Sequence, residues 1–538
     1  MDELRVLEQH IQTLGDEVVQ KIENARKEDN LESYGSKSTA LKQNLQKYYL
    51  ETCSALDLGP MFDIDSPNLV EVYMPPKLSK STVIKGSSSI GFKSKIDRSD
   101  IKEFDEVFRN TGEQAKHIYI TAKAGVGKST FCKFIVRLWC AFQTNNTEDI
   151  ESLKSRGAGT YLNICKELKN VQYVFYACLI QSRSRLCEMD DIVFHQVIRR
   201  LSKSEDYDMK FLQEILDKER CLMIFDGLDE WSHPDVEKYP CFEEDTESPH
   251  ARSRENCTVM VTSRHWKLGL QKMHSKKSNI CVEIMEMNDT NIQSLVKQAF
   301  TLLVGDSEPL KEIEEFFRFI ERKGLQNLIH NTLVALQLLS LWYEGHSLGN
   351  TKCQVYCNVL EMMFANVLQR NPHIQYYVAE DHQRSATIRC LQTRRHCLKF
   401  QEYIRNLGKM AFYSLFDVET LEAQIASNPS KSLDIHNTEE LGLLTGLISK
   451  TQLHSSSVVP RYEYSFLHKT YQEILACVYI ASIPYKSEEH ERLAETIKSS
   501  SQTLSYDMML FLIGMHGACA QDMFEIEICK QICFVKVQ

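Results

Sequence analysis

The stretch Ala122-Lys-Ala-Gly-Val-Gly-Lys-Ser-Thr130 follows an apolar run, His117-Ile-Tyr-Ile-Thr121, and precedes a helical pattern from Phe131 to Trp139. A strand, a glycine-rich loop and a helix in this order are the context of a phosphate-binding loop. Gly125 and Gly127 let the backbone fold around an anion, towards which the N–H groups and the helix N-terminus then point. The stretch predicts a P-loop within an α/β domain.

Each part of this loop has a predicted role. Lys128 places a positive charge on the outer phosphates, and Ser129 offers a hydroxyl to Mg²⁺. Ala122 stands where the motif usually begins with glycine, and alanine fits there if its φ is negative. The loop residues predicted to bind nucleotide are Ala124, Gly125, Val126, Gly127, Lys128, Ser129 and Thr130.

A second motif, Leu222-Met-Ile-Phe-Asp-Gly-Leu-Asp-Glu230, is an apolar strand that ends in acids. Carboxylates at the carboxyl end of a strand lie in the crevice where open α/β sheets bind ligands. Asp226 is predicted to hold Mg²⁺ through water, and Asp229 or Glu230 to orient or deprotonate an attacking water. The motif therefore predicts the catalytic edge of a nucleotide site.

A third strand, Thr258-Val-Met-Val-Thr-Ser-Arg264, ends in an arginine. The planar guanidinium suits bidentate recognition of phosphate, so Arg264 is a candidate contact for a γ-phosphate. The pattern alone leaves open a second interpretation, in which Arg264 is an ordinary solvated loop residue.

Composition and charge restrict the class of protein. The 538 residues imply several domains, and an apolar fraction of 43% with 25% charged residues is typical of a globular chain. The formal net charge of −10 argues against a dedicated nucleic-acid binder. No signal peptide and no apolar run long enough to span a membrane is recognisable, so we predict a cytoplasmic protein.

The 18 cysteines are scattered and form no C-x-x-C pair. Zinc sites built from cysteine usually show such pairs. We therefore expect reduced thiols in the core of a cytosolic protein.

The N-terminal region is predicted to be helical. Apolar side chains alternate at spacings of three and four at Leu4, Leu7, Ile11, Leu14 and Val18, and a second helix is expected from about Ser38 to Leu58. The pattern leaves open whether this pair oligomerises, packs as a simple hairpin or is the stub of a truncated domain. A short strand at Val70–Met74, a linker rich in serine and lysine over 79–100 and a short helix from Asp100 to Arg109 follow.

The centre of the chain alternates strands with helices, which predicts a three-layer, mostly parallel sheet. The strand-like segments are 117–121, 172–180, 221–226, 258–262 and 280–285. After about residue 286 the pattern becomes helical, with a brief strand-like break at Tyr462–Phe466. The predicted helices of this half include Ile292–Leu303, Leu310–Ile320, Leu333–Trp342, Val355–Leu368 and Ile404–Leu415.

Taken in order, these motifs resemble the NACHT class of STAND ATPases, the switch module of NOD-like receptors. The P-loop is similar to the first motif of that family, and Asp226-Gly-Leu-Asp-Glu230 to its distinctive second motif. Thr262-Ser-Arg264 resembles the sensor strand, with His265 where the family often has proline.

The resemblance continues through the helical half. Asn331 to Trp342 is similar to the first helical domain, with Thr332 where the family usually has a proline near the adenine. Phe466-Leu-His-Lys-Thr-Tyr-Gln-Glu-Ile-Leu-Ala476 resembles the winged-helix signature, in which the family's histidine, matched by His468, touches the β-phosphate of ADP. Leu504–Gly517 resembles the start of a second helical domain.

The resemblance implies five regions. They are an N-terminal helical segment with a short strand and linker (1–100), a nucleotide-binding NACHT domain (101–285), a first helical domain (286–350), a winged-helix domain (351–483) and the start of a second helical domain (484–538), which we expect to be truncated.

The function implied by the resemblance is a switch in cytosolic innate-immune or stress signalling. ADP would hold a closed form through Lys128 and His468, and ATP with Mg²⁺ would favour an open form that self-associates. Slow ATP hydrolysis would reset the switch. The implied partners are nucleotide, further copies of the chain and a signalling protein, and neither a nucleic acid nor a membrane is expected.

Three alternatives come from other classes of protein. The chain could be a nucleotide-binding scaffold without catalysis, although Lys128, Asp226 and Glu230 argue against this. It could be another P-loop machine, such as a helicase or a GTPase, but no Asn-Lys-x-Asp motif is present and the charge is acidic. It could also be an interaction protein built on its helices, with a vestigial P-loop.

Overall fold

A computed structural model of the chain describes much of the sequence between residues 33 and 525. The described residues are 33–54, 69, 73–85, 94–102, 104–110, 113–123, 125–144, 166–182, 185–231, 233–234, 248–264, 279–304, 310–370, 391–416, 441–453, 461–466, 468–500, 503–516, 520–521, 523 and 525. The amphipathic helix predicted within 1–29 and the predicted loop residue Ala124 lie outside them.

A seven-stranded mixed sheet forms the first half of the molecule. Nine strands are described there, of which β3 and β4 form a separate two-stranded ribbon: β1 (Leu78–Lys85), β2 (Ser94–Asp100), β3 (Arg109–Asn110), β4 (Glu113–Gln114), β5 (His117–Thr121), β6 (Tyr173–Cys178), β7 (Cys221–Asp226), β8 (Cys257–Ser263) and β9 (Asn279–Ile284). The order in the main sheet is β2-β1-β9-β5-β8-β7-β6. The five strands from β9 to β6 are parallel, which confirms the predicted α/β sheet.

The parallel strands are apolar because both faces of the sheet are covered. All six residues of β7 and all seven of β8 are buried. Strands buried on both faces are mostly continuous apolar runs, so charged side chains are expected at the ends of these strands and in the segments that follow them. The order places β8 between β5 and β7, so the segments that follow these three strands leave the sheet side by side.

The prediction of a linker over 79–100 is wrong for most of its length. Strand β1 pairs antiparallel with both β2 and β9, so this segment extends the sheet. Serine and lysine are uncommon in strands, but β1 is held by backbone hydrogen bonds to both neighbours, and β2, at the edge of the sheet, tolerates polar side chains. For the strand predicted at Val70–Met74, Tyr73 and Met74 are buried without strand geometry and 70–72 lie outside the described residues.

The short helix predicted from Asp100 to Arg109 is also wrong in part. Asp100 ends β2, and only a 3₁₀ turn, Phe104–Val107, precedes β3. Because β2 pairs with β1 and β3 pairs with β4, the residues at both ends of the predicted helix lie in strands.

The first described helix, α1 (33–52), packs against the sheet. The Tyr49 hydroxyl donates to the carbonyl of Val174 at 3.0 Å and accepts from the N–H of Tyr176 at 3.0 Å, and Tyr173 donates to the carbonyl of Ser38 at 2.9 Å. These bonds join α1 to β6. For residues 33–52 they favour the packing interpretation over an oligomerising helix.

The remaining helices cover the sheet and form the second half of the molecule. Beside the sheet lie α2 (Lys128–Thr144), α3 (Lys166–Lys169), α4 (Met189–Gln196) and α5 (Met209–Lys218). The second half contains α6 (Asp289–Val304), α7 (Leu310–Arg322), α8 (Gln326–Ile329), α9 (Thr332–Tyr343), α10 (Lys352–Arg370), α11 (Arg395–Lys399), α12 (Gln401–Phe416), α13 (Lys469–Ser482), α14 (Glu488–Ser499) and α15 (Tyr506–Met515). Between α12 and α13, strands β10 (Ile448–Leu453) and β11 (Arg461–Phe466) form an antiparallel hairpin.

The buried apolar side chains form two clusters. One fills the α/β half as far as Ile284, and the other fills the helical half from Met287 onward and includes Met74. The predicted order, a sheet followed by helices, is therefore confirmed, while the finer domain boundaries stay predictions. Among the described residues no helix has both the length and the apolar character that crossing a membrane requires.

Helices α12 and α13 approach each other closely at Gly408. A Cβ atom there would lie 2.5 Å from the carbonyl oxygen of Leu475 and 3.0 Å from Cβ of Tyr479. We predict that Gly408→Ala destabilises the helical half by about 1–3 kcal/mol, because overpacking outweighs the gain in helix propensity. A matched control is Gly35→Ala in α1, where no atom lies within 4 Å. Thermal unfolding should show a lower midpoint for Gly408→Ala alone, and equal midpoints would contradict the close approach.

Candidate nucleotide-binding site

The predicted P-loop connects β5 to α2, and two of its glycines have left-handed backbones. The φ angles of Gly125 and Gly127 are +75° and +106°, and the N–H of Phe131 donates to the carbonyl of Gly127 at 2.9 Å. A Cβ on Gly125 would lie 2.6 Å from Oδ1 of Asn331. Glycine is therefore required at 125 both for its backbone conformation and for its close neighbour.

The N-terminus of α9 holds the other side of this loop. The N–H of Leu333 donates to the carbonyl of Gly125 at 3.2 Å, and the Thr332 hydroxyl donates to the carbonyl of Val126 at 3.4 Å. Asn331 caps α9 by accepting from the N–H of Val334 at 3.3 Å. Thr332 thus makes a loop contact through its hydroxyl that a proline at this position could not make.

Asp226 is fixed at the end of β7 by hydroxyl groups from both neighbouring strands. Its Oδ1 accepts from the Thr262 hydroxyl at 2.5 Å and its Oδ2 from the Tyr176 hydroxyl at 3.4 Å. The Thr262 oxygen also accepts from the N–H of Gly227 at 2.9 Å. A carboxylate oriented in this way, next to the P-loop helix, is suited to hold a water of the Mg²⁺ shell.

Arg264 is buried between two carboxylates. Its Nε lies 3.1 Å from Oδ2 of Asp229, and its Nη1 lies 2.8 Å from Oε1 of Glu473 in α13. Burial opposes the charge, but the attraction of Glu473 and Asp229 outweighs it and raises the pKa of the guanidinium. Of the two interpretations that the sequence left open, the solvated loop arginine is therefore excluded.

Lys469 of α13 also contacts the acidic motif. Its Nζ lies 3.3 Å from Oδ2 of Asp229 and donates to the carbonyl of the same residue at 3.2 Å. Burial disfavours the ionised carboxyl of Asp229, but Lys469, Lys128 and Arg264 outweigh it and lower its pKa. Asp229 therefore stays ionised, and its charge attracts the three cations Lys469, Lys128 and Arg264.

Glu230, the next residue, shows the opposite pKa shift. Burial raises the pKa of its carboxyl and Asp229 and Asp226 add to the shift, while Lys469 and Arg264 oppose it without reversing it. A carboxylate of raised basicity beside a phosphate site is suited to accept a proton from water. The two acids that the sequence could not distinguish thus differ in the structure: the pKa of Asp229 is lowered, and that of Glu230 is raised.

Lys128 is the first residue of α2 and interacts electrostatically with the carboxyl groups of the acidic motif. Burial and the nearby guanidinium of Arg264 lower the pKa of its amine, while Asp229, Asp226 and Glu230 oppose that shift. Ser129 is exposed and Thr130 is half-buried, so both side chains are accessible at the start of the helix.

His468 caps the N-terminus of α13. Its Nδ1 accepts from the N–H of Thr470 at 3.1 Å, so a neutral ring carries its proton on Nε2. Burial, followed by the positive charges of Arg264 and Lys128, lowers the pKa of the imidazole to about 3. The ring is therefore neutral at physiological pH and has one N–H to donate.

The structure brings most of the predicted site residues into one region. The carboxyl ends of β5, β7 and β8 are surrounded by these residues: Gly125, Val126, Gly127, Lys128, Ser129, Thr130, Asp226, Asp229, Glu230, Arg264 and His468. Sequence reasoning missed Lys469 and Glu473. Two charges four residues apart in an otherwise apolar helix lie on one face, and that spacing was the available signal.

The comparisons with known proteins concern part of the chain. Residues 100–264 match the model of a family described as Nephrocystin 3, N-terminal, and this range contains all three nucleotide motifs. No curated protein matches the chain. The chain is similar to a chain in the solved structure described as Drosophila ORC bound to DNA. The sequence identity is 12%, the match covers 68% of this chain and 90% of that chain, and the TM-score is 0.21, which does not show a shared fold.

The depressed pKa of His468 predicts a pH dependence of stability. Between about pH 6.5 and the folded pKa of about 3, the unfolded chain binds a proton at this residue that the native state does not. This contribution to stability is therefore lost as the pH falls, at up to about 1.4 kcal/mol per pH unit. His468→Asn retains a capping oxygen but removes the titrating ring. The variant should lose less thermal stability than the wild type between pH 7 and pH 5, and parallel curves would refute the assignment.

Proposed function

We propose that this chain is an ATP- and ADP-binding molecular switch of the NACHT class, with slow ATPase activity. The observation that carries the proposal is the buried ion network that joins the P-loop half to α13. Arg264 and Asp229 lie in the segments that directly follow β8 and β7, whereas Glu473 and Lys469 lie in α13 of the helical half. A nucleotide bound beside this network would alter its charges and hence the association of the two halves.

In the ADP-bound form, the phosphates would lie between the P-loop and the start of α13. Lys128 and the loop N–H groups would hold the β-phosphate from one side, and the neutral ring of His468 would donate its Nε2–H from the other. Mg²⁺ would bind the Ser129 hydroxyl directly and Asp226 through water. The closed arrangement, in which Glu473 forms an ion pair with Arg264, would be compatible with bound ADP.

ATP adds a negatively charged γ-phosphate at the same edge of the sheet. That phosphate would then compete with Glu473 for Arg264, because guanidinium groups bind phosphate in bidentate geometry. Releasing Glu473 from Arg264 would leave its carboxylate buried without a cation, which is costly, and so would favour separation of α13. ATP would thereby shift the equilibrium towards an open form.

Hydrolysis would return the switch to the closed form. Glu230, with its raised pKa, is the residue we propose as general base, and Lys128 and Arg264 would stabilise charge on the transferred phosphate. Asp229 would hold Lys469 and Arg264 in place. We propose that the antiparallel strands β10 and β11, directly before α13, are the wing of a winged-helix domain.

The biological setting is proposed from the resemblance to NACHT proteins. We propose that the open form self-associates and engages a signalling protein in cytoplasmic innate-immune or stress signalling. The net charge of −10 supports a protein partner over nucleic acid.

A non-catalytic nucleotide-binding scaffold is the second candidate. One observation favours it: Arg264 already has two carboxylate partners, so in this arrangement its guanidinium is not free to bind a γ-phosphate. In a scaffold, nucleotide would bind and neither hydrolysis nor opening would follow.

Nucleotide binding is tested with Lys128→Ala. We expect the purified wild-type chain to contain about one ADP, identified by chromatography after denaturation, and the variant to contain none, because the charge on the outer phosphates is lost. Lys123→Ala is the matched control, since Lys123 is exposed and pairs with Glu286 at 3.1 Å. If neither protein contains nucleotide and neither binds added ATP or ADP, both the switch and the nucleotide-binding scaffold are excluded.

The closing contact is tested with Glu473→Gln. The variant leaves Arg264 buried with one carboxylate instead of two, so it should weaken closure, retain ADP less well and self-associate without added ATP. Glu488→Gln in α14 is the control, because that glutamate is exposed. Light scattering coupled to gel filtration measures the association. A Glu473→Gln protein that stays monomeric with its ADP, and also stays monomeric with ATP and Mg²⁺, would favour the scaffold.

A further inference from the structure

A cysteine and two histidines meet beside the acidic motif, outside the nucleotide site. The candidate ligand atoms of Cys187, His233 and His250 all lie within 4.8 Å of one another. The sequence predicts no zinc site because it contains no paired cysteines. The fold instead assembles three single ligands from segments that are far apart in the chain.

Backbone hydrogen bonds hold two of the three residues in register. The N–H of His250 donates to the carbonyl of Cys187 at 2.7 Å, and the N–H of Met189 donates to the carbonyl of His250 at 2.9 Å. Glu188 and His250 form a parallel bridge. The segments that carry the thiol and the imidazole are thus joined by an isolated β-bridge and two backbone hydrogen bonds.

The third residue, His233, is positioned by its neighbours in the chain. The fully buried Trp231 donates through its indole N–H to the carbonyl of Leu186 at 3.2 Å, and its ring lies 5.9 Å from that of His233. The rings of His233 and His250 are 5.6 Å apart. Trp231 therefore brings the segment after the acidic motif to the turn that contains Cys187.

The hydrogen bonding of His233 is that of a metal ligand. Its Nδ1 contacts the carbonyl of Pro234 at 2.7 Å, which places the proton on Nδ1. Its Nε2 is buried and has no hydrogen-bond partner in the described part of the chain. Metal-bound histidines commonly donate one ring N–H to a carbonyl and offer the other nitrogen to the ion.

We propose that Cys187, His233 and His250 bind a zinc ion. Thiolate and imidazole are the ligands that zinc prefers, and a water completes the tetrahedron where the protein supplies three ligands. Ligand atoms around tetrahedral zinc are about 3.5 Å apart, so side-chain movements of about 1 Å would close this site. The ion would displace the thiol proton and bind the resulting thiolate.

The proposed zinc ion would brace the acidic motif. The 3₁₀ turn Leu228–Glu230 contains Asp229 and Glu230 and ends at Trp231, two residues before His233. A bond from His233 through zinc to Cys187 and His250 would fix the far end of this turn against the sheet. This role concerns rigidity and is independent of whether nucleotide binds.

The test is zinc binding by the full chain without an affinity tag. After exposure to zinc and gel filtration, we expect about one zinc per chain in the wild type by elemental analysis. Cys187→Ser and His250→Asn should bind zinc at least about tenfold more weakly, since loss of even an outer-shell partner costs that much. The matched controls are Cys178→Ser and His195→Ala, which alter a partly exposed cysteine and an exposed histidine outside the cluster.

Cobalt gives a second measurement that does not depend on how the variants fold. Wild-type protein titrated with Co²⁺ should develop visible d–d bands of tetrahedral cobalt and a near-ultraviolet thiolate-to-cobalt band. Absence of the thiolate band in the wild type overturns the proposal. Zinc retention by Cys187→Ser or His250→Asn equal to that of the wild type also overturns it, because the metal would then be bound elsewhere.

Discussion

The burial of Arg264 between Asp229 and Glu473 is the constraint on which the arrangement of this molecule depends. A guanidinium that leaves water must keep its carboxylate partners, and here one partner is 209 residues away in sequence. A buried ion pair of this kind contributes little net stability compared with apolar packing, but losing one partner is costly. The pair therefore specifies how α13 sits on the sheet, and it also makes that position sensitive to any new charge beside Arg264.

The strand order supplies the remaining geometry. Because β8 lies between β5 and β7, Arg264 emerges between the P-loop and the acidic motif, and the Thr262 hydroxyl can bond to Asp226 across the strand boundary. Two adjacent acids then acquire opposite pKa shifts: at Asp229 the surrounding cations outweigh burial and lower the pKa of the carboxyl, whereas at Glu230 burial outweighs them and raises it.

Much of the fold could be predicted because its signals are local. The five parallel strands and the major helices of the second half are long apolar or periodic segments, and their positions in the structure agree with the pattern to within a few residues. The errors occur where tertiary pairing overrides composition. Residues 78–85 and 94–100 are rich in serine, lysine and other polar residues, yet β9 offers an edge to which β1 can bond through its backbone.

By itself, the sequence determined the P-loop, the order of sheet and helices and most of the candidate site, because glycine placement, apolar runs and strand-terminal acids act over a few neighbouring residues. Only the tertiary structure decided which groups face each other. It paired Glu473 with Arg264 and Lys469 with Asp229, shifted the pKa values of His468 and Glu230 through burial and nearby charge, and gathered Cys187, His233 and His250. Electrostatic energies and ligand geometry depend on distances through space, and spacing along the chain does not contain them.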